Sequence, residues 1–321
     1  MINLDAEQIA ECLTMGKLIE SMRETYQQQS TIPQRRVMPL EENGYDAFAL
    51  LPAWSEDLIT VKAFTYFPHN PALGKDSLAS KILAFRRGDG EPLALLDGKR
   101  LTYWRTAAAS ALAADYLARK QSSRLLICGT GNLAPYMAYA YAAVRPLQTV
   151  MIWGRNLDKA RLTVDAILSS NEYQSLPIER QFSVEVIDDV DSVLNDVDIV
   201  TCVTASAMPL FDGARVQAGT HIDLIGNHDA DKRECDGISI ERSSVFVDSR
   251  VNVLAEAGEL LIPIKQGLFS AVQIKAELNE LCSNQHRGRC DEQEITLYKS
   301  VGSALADLAA VKFVLTQKQV I

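Results

Sequence analysis

Residues 124–134, Arg124-Leu125-Leu126-Ile127-Cys128-Gly129-Thr130-Gly131-Asn132-Leu133-Ala134, decide how this chain folds. An apolar run of strand character turns at Gly-Thr-Gly and enters the helical segment NLAPYMAYAYAAV, so the stretch reads strand, GxGxxA, helix. In that setting the first glycine permits a tight turn, the second lets the backbone approach a pyrophosphate, and the small Ala134 lets helix and strand pack closely. GxGxxA alone is a weak signal. Between a strand and a helix, with a second strand about 20 residues further on, it predicts a dinucleotide-binding unit. Gly129, Gly131, Asn132 and Leu133 are its expected cofactor contacts.

The second strand, TVMIWGR, ends in Trp153-Gly154-Arg155-Asn156. Enzymes that use NAD place an acidic residue there to accept hydrogen bonds from the ribose hydroxyls. An arginine at that tip suits a 2′-phosphate by charge and by planar hydrogen bonding, so NADP(H) is expected in preference to NAD(H), with Arg155 and Asn156 as contacts. Further along, LDKARLTVDAILSS, FSVEVID, VDSVLND, VDIVTCVTAS and HIDLIGN continue an alternation of helical and strand patterns. That alternation predicts parallel strands joined by right-handed crossovers.

The pattern differs on either side. The first 30 residues read as helix: Asp5 can cap one segment with Gln8 at the capping-box position, Thr14 can cap a second, and Leu18, Met22 and Tyr26 recur at helical spacing. From Pro33 to about Leu96, short β-like runs (RRVMPL, YDAFALLPA, LITVKAFTYF, KILAFR, PLALLD) alternate with turn residues, predicting a mostly antiparallel sheet. An alanine-rich helix follows from about Thr102. The end of the chain is read as helical from about Thr296, suited to pairing with that helix. The predicted architecture is α/β: a Rossmann domain over residues 118–295, inserted in a discontinuous α+β domain made of residues 1–117 and 296–321.

Composition narrows the function. The 321 residues are 47% apolar with a formal charge of −9, and no face-length basic run offers a nucleic-acid backbone a grip. No stretch approaches the roughly 18 consecutive apolar residues of a membrane span, and MINLDAEQIAEC has acids where a signal peptide has a basic and then an apolar segment, so a cytoplasmic protein is expected. Six cysteines without a CxxC pair and four histidines without HxxxH or HExxH spacing give no reason to expect a metal.

Arg105-Thr106-Ala107-Ala108-Ala109-Ser110, the GTGNLA loop, GTHIDLIG followed by Arg233-Glu234, Glu256-Ala257-Gly258-Glu259, and Ile295-Thr296-Leu297-Tyr298-Lys299-Ser300-Val301-Gly302 occur in an order and spacing that resembles the ornithine cyclodeaminase and mu-crystallin family. The resemblance spans nearly the whole chain. It implies the split fold inferred above, with the discontinuous domain binding substrate and forming a homodimer. It also implies chemistry at a C=N bond next to a carboxylate. Cyclodeaminases, alanine dehydrogenases of archaeal type, opine-forming enzymes and reductases of cyclic ketimines all share that centre.

By the same resemblance, Arg35 in Pro33-Gln34-Arg35 clamps the substrate carboxylate, although Arg36 is adjacent and would face the other way on a strand. Lys62 interrupts an apolar strand and matches the family's substrate lysine, able to bind the carboxylate or move a proton if its pKa is depressed. Without the match it would read as an edge-strand lysine guarding against aggregation. Arg105, with Thr106 beside it, resembles the family's arginine near the cofactor phosphates and substrate, while Thr204, Lys232 and Ser300 resemble cofactor contacts. His228 stands where cyclodeaminases and alanine dehydrogenases carry an aspartate. Asp229 is next to it, and the imidazole either donates a proton to a reduced imine or stacks near the cofactor.

The expectation is therefore NADPH-dependent reduction of a cyclic imino acid, pyrroline-2-carboxylate to L-proline or piperideine-2-carboxylate to L-pipecolate. The alternatives are an ornithine cyclodeaminase or alanine-dehydrogenase-like amino acid dehydrogenase, and a non-catalytic NADPH-dependent ligand-binding protein of mu-crystallin type.

Overall fold

The computed structural model describes residues 1–42 and 44–321, with Pro71 described by its backbone alone. In chain order, β1 (Ile2–Leu4), α1 (Ala6–Ala10) and α2 (Met15–Gln27) precede β2 (Arg36–Pro39), β3 (Ala47–Trp54), β4 (Leu58–Tyr66), β5 (Leu78–Arg86) and β6 (Pro92–Asp97). Helix α3 (Gly98–Leu117) leads to β7 (Arg124–Cys128), α4 (Ala134–Val144), β8 (Thr149–Trp153), α5 (Leu157–Leu168), the single turn α6 (Asn171–Gln174), β9 (Ser183–Ile187), β10 (Ile199–Cys202) and β11 (His221–Leu224). Then come α7 (Gly237–Glu241), β12 (Ser243–Val247), α8 (Arg250–Glu256), α9 (Gly258–Lys265), β13 (Ala276–Glu277), α10 (Leu278–Cys282), β14 (Ile295–Lys299) and α11 (Ala304–Gln317).

Two compact units result, one of Met1–Thr106 with Ser303–Ile321 and one of Ala107–Gly302. The first boundary falls inside α3, where the sequence pattern places it at 117; the second falls after β14, where the pattern places it at 295.

Among the described residues, the first unit contains a six-stranded sheet in the order β1-β6-β5-β4-β3-β2. The pairings from β6 to β2 are antiparallel, while β1 joins β6 in parallel. Strand β1 corrects the all-helical reading of the first 30 residues: three residues are too few to show a period, and pairing with Ala94–Leu96 defines them. The Asp5–Gln8 capping box is present on α1, and Leu18, Met22 and Tyr26 are buried on α2. Thr14 stands at the N-cap of α2 with extended backbone and makes no side-chain capping bond. Helix α11 is buried over nearly all its length and packs against α2, β3 and β4, as a helix apolar all round must.

In the second unit the sheet order is β13-β12-β14-β11-β10-β7-β8-β9, and its pairings are parallel. The chain starts in the middle at β7, runs outward through β8 and β9, then returns to the other side of β7 with β10. That reversal is the switch point at which open α/β sheets bind ligands. Two expectations are corrected here. Residues Ile295–Lys299 form a strand between β11 and β12, not the start of the final helix, which begins at Ala304. VDSVLND forms turns; of its apolar residues, Val190 and Leu194 join the core and Val193 packs against it, without a helical face.

Candidate functional site

Strand β4 is interior to its sheet, and its buried face presents Leu58, Thr60 and Lys62 in alternation. The edge-strand reading of Lys62 therefore fails. Its ammonium is 3% exposed, donates to Thr102 Oγ1 at 2.6 Å and lies 3.7 Å from Asp307 Oδ1. The same carboxylate oxygen accepts from Arg105 Nε at 2.8 Å, and both Arg105 and Asp307 are buried. Burial lowers the Lys62 pKa to about 8; Asp307 opposes this, while the charges of Arg105 and Arg35 add to it. Arg35 is half-buried immediately before β2, whereas Arg36 is exposed on it. Thr106 is buried one residue after Arg105 on α3.

The first unit thus sets two buried cations, Lys62 and Arg105, on one carboxylate, whose Oδ2 has no hydrogen-bond partner among the described residues, with the charge of Arg35 acting on Lys62. A site with surplus buried positive charge is suited to an anion, because a buried charge is costly until paired.

In the second unit, the loops after β7, β8 and β10 line a cleft of about 240 Å³ at the switch point. Gly129, Gly131, Arg155 and Thr204 line it. Gly129 has φ +140°, and a Cβ there would meet Val203 Cγ2 at 2.7 Å, so glycine is required by conformation and by space alike. A Cβ on Gly154 would meet Thr130 at 2.5 Å, whereas Gly131 faces open space, leaving its backbone approachable. Asn132 is exposed, and Leu133 is the N-cap of α4, where it makes no side-chain bond to the first turn. That leaves a helix N-terminus suited to phosphate. Arg155 is exposed at the tip of β8, while Asn156 caps α5 through Lys159 N at 3.0 Å. These residues fit a dinucleotide, and among the described residues no group of His, Cys, Asp and Glu is arranged to hold a metal.

The loops after β11 and β14 follow along the same edge of the sheet. His228 is exposed on the β11 loop. Asp229 is occupied, with Oδ2 2.9 Å from Lys232 Nζ and Oδ1 accepting from Asp231 N, and these bonds hold its carboxyl below the usual range. Lys232, expected at the cofactor, is thus engaged with Asp229. The Thr204 hydroxyl donates to Glu234 at 2.7 Å, and Ser300 Oγ donates to Asp248 at 2.8 Å.

The sequence reading passed over Thr102 and Asp307, and it quoted the fully buried Glu234, Glu259 and Lys299 within motifs without assigning them a role. For Asp307 and Lys299 the signal was a lone charge in an apolar run, in ALADLAAV and ITLYKSV.

Residues 2–319 match the profile of the ornithine cyclodeaminase/mu-crystallin family. A Δ1-pyrroline-2-carboxylate reductase of Colwellia psychrerythraea (strain 34H) is 45% identical over 313 residues, covering 96% of each chain. Another, from Paracoccus denitrificans (strain Pd 1222), is 35% identical over 264 residues, 82% of this chain and 80% of that one. The structure of Thermococcus litoralis Δ1-pyrroline-2-carboxylate reductase in complex with NADH and L-proline superposes with a TM-score of 0.91 at 28% identity, covering 99% of this chain and 98% of the other.

Proposed function

Because the chain belongs to the ornithine cyclodeaminase/mu-crystallin family, we propose that it is an NADPH-dependent reductase of cyclic ketimine carboxylates, converting pyrroline-2-carboxylate to L-proline, piperideine-2-carboxylate to L-pipecolate, or both. The observation that carries this reading is the buried cluster of Lys62 and Arg105 on Asp307 with the charge of Arg35 beside it. One carboxylate does not balance the two buried cations that share it, and the carboxylate of an imino acid supplies the missing charge. Arg35 and Lys62 hold that group and so orient the ring.

When bound, the nicotinamide supplies the hydride that adds to C2. One proton must then reach the ring nitrogen, so that the C=N bond becomes C–H and N–H while the coenzyme leaves oxidised. His228 is assigned as the donor, directly or through water. Asp229, tied to Lys232 and Asp231, is not arranged for the role an aspartate plays at the neighbouring position in cyclodeaminases.

The test is coenzyme oxidation with pyrroline-2-carboxylate and piperideine-2-carboxylate, alongside ornithine with NAD and pyruvate with ammonia. Turnover confined to the cyclic imines is expected; ammonia release from ornithine, or activity only with pyruvate and ammonia, would overturn the reading. Tight NADPH binding without turnover on any of these would make the chain a ligand-binding protein instead.

The preference for NADPH rests on Arg155, exposed at the cleft without an acidic residue at the strand tip. The Thermococcus relative was solved with NADH, so the preference needs its own test. Arg155→Ala is expected to raise KM for NADPH about tenfold or more, the loss of one charge-assisted phosphate contact, and to leave KM for NADH nearly unchanged. Equal effects on both coenzymes would remove Arg155 from the assignment.

We also propose a homodimer. The edge strand β2 and the turn beside it expose Val37, Met38, Leu40 and Tyr45, an apolar edge of the kind that proteins cover. A solution mass near 35.4 kDa, that of one chain, would rule this out.

A further inference from the structure

Behind the coenzyme cleft, the second unit buries three ionisable side chains that the proposed reaction does not use. Glu234, Glu259 and Lys299 are each 0% exposed. Lys299 Nζ lies 3.0 Å from Glu259 Oε2, an ion-pair approach, and donates to the carbonyl oxygen of Asn227 at 2.7 Å. Glu259 Oε1 accepts from Glu234 N at 3.2 Å. Glu234 Oε1 accepts from both Thr204 N and Thr204 Oγ1 at 2.7 Å, and Oε2 accepts from Gly226 N at 2.9 Å.

That carboxylate bridges two loops. Thr204 and Ser206 form a wall of the coenzyme cleft, whereas Gly226 and Asn227 immediately precede His228. The loops touch: a Cβ on Gly226 would meet Thr204 O at 2.0 Å and Thr204 N at 2.1 Å. The Asn227 side chain donates to Ser206 O, and on the far side of His228 the Asp229 carbonyl accepts from Gly258 N at 3.2 Å. His228 itself is exposed, and the backbone on either side of it is anchored.

We propose that Glu234 is a positioning residue: its ionised carboxylate, favoured by the charge of Lys299 and carried on a backbone N–H that Glu259 accepts from, ties the Thr204–Ser206 wall of the cleft to the Gly226–Asn227 turn and thereby fixes where His228 presents its ring. The proposal rests on the reading of His228 as proton donor only in its last step. Both carboxylate oxygens accept from backbone N–H groups, and an oxygen that gains a proton becomes a donor facing a donor. The groups facing Glu234 are Lys299 on β14, Glu259 on α9, Cys202 on β10 and the adjacent Cys235. Burial raises the Glu234 pKa from 4.5 to about 7, with Lys299 opposing and Glu259 adding. Between those values the folded chain holds a proton that the unfolded chain releases, so stability falls as pH rises through that window. The bridge forms against that cost and is complete above about pH 7.

The test is amide hydrogen exchange of the coenzyme-free chain at about pH 6 and about pH 8.5, corrected for intrinsic rates, with Glu234→Gln beside it. Amides from Gly226 to Asp229 and at Thr204 are expected to be about tenfold better protected at the higher pH in the unaltered chain, and to lose that difference in Glu234→Gln, as one buried acceptor becomes a donor. Turnover of the cyclic imine by the variant is expected to fall about tenfold in kcat at about pH 8.5, with KM for NADPH within about threefold, and the deficit is expected to shrink at about pH 6, where the unaltered chain is itself protonated. Protection that is independent of pH and of the substitution overturns the proposal. Should Glu234→Gln not fold, the unaltered chain decides alone, because equal protection at the two pH values overturns it. Lost protection with unchanged kcat sustains the bridge and removes His228 from the chemistry.

Discussion

Lys62→Ala is expected to lower kcat/KM for the cyclic imine by about 10²- to 10³-fold while leaving the dissociation constant of NADPH nearly unchanged. Truncating one partner of a buried, hydrogen-bonded charge pair costs about 2–5 kcal/mol, and each 1.4 kcal/mol is a factor of about ten. The coenzyme is insulated from the change because its cleft is lined by Gly129–Gly131, Trp153–Arg155 and Val203–Ser206, with Lys62 absent from that lining. The fold should persist, since Asp307 keeps its bond to Arg105.

The pH dependence has a definite sign. A lysine whose pKa is lowered from 10.5 to about 8 loses its charge early in the folded state, so carboxylate binding should weaken as pH rises through about 8. Stability runs the other way. Between about 8 and 10.5 the unfolded chain binds more protons than the folded one, and stability therefore rises with pH. Steady-state kinetics with separate coenzyme titration checks the first statement, and an effect on kcat/KM below about threefold would falsify the assignment of Lys62 to the substrate.

Asp307→Ala is expected to be the most destabilising single change in the first unit. It leaves Arg105 and Lys62 buried with no carboxylate between them, and removing one partner from a buried ion pair costs about 3–5 kcal/mol. A lowered urea midpoint measures the loss. The kinetic consequence is independent of the stability one: Asp307 is what raises the Lys62 pKa against burial, so in any folded variant the basic limb of kcat/KM should move below pH 8. Asp307→Asn retains the shape and an acceptor for Arg105, so it should recover part of the stability without restoring the limb. A limb that stays put in both variants would mean that Lys62 titration does not govern substrate binding.

The two acids that matter most here, Asp307 and Glu234, differ in how visible they are in the sequence. Glu234 follows a recognisable stretch and can be suspected of a role; Asp307 sits in ALADLAAVKFVL, where an acid in the first turn of a helix looks like ordinary dipole compensation. Its partner Arg105 is 202 residues away. Arg105 itself looks odd in sequence, a cation in an alanine-rich helix, and the oddity disappears only once the counter-charge is known.

Local chemistry determined what the sequence could determine alone. GxGxxA between a strand and a helix announces a dinucleotide loop because the requirements of that turn are met within a dozen residues. The Asp5–Gln8 capping box and the buried stripe of α2 are equally local. Where hydrogen-bond partners are distant, pattern fails: ITLYK became a strand by pairing with β11 and β12, and Ile2–Leu4 by pairing with β6. The same holds for charge. Lys62 and Arg105 have roles by resemblance in the sequence and Lys299 has none, but the counter-charges of all three are decided by tertiary structure alone, because the energy of a buried charge depends on what lies within a few ångströms of it in space and not on what lies beside it in the chain.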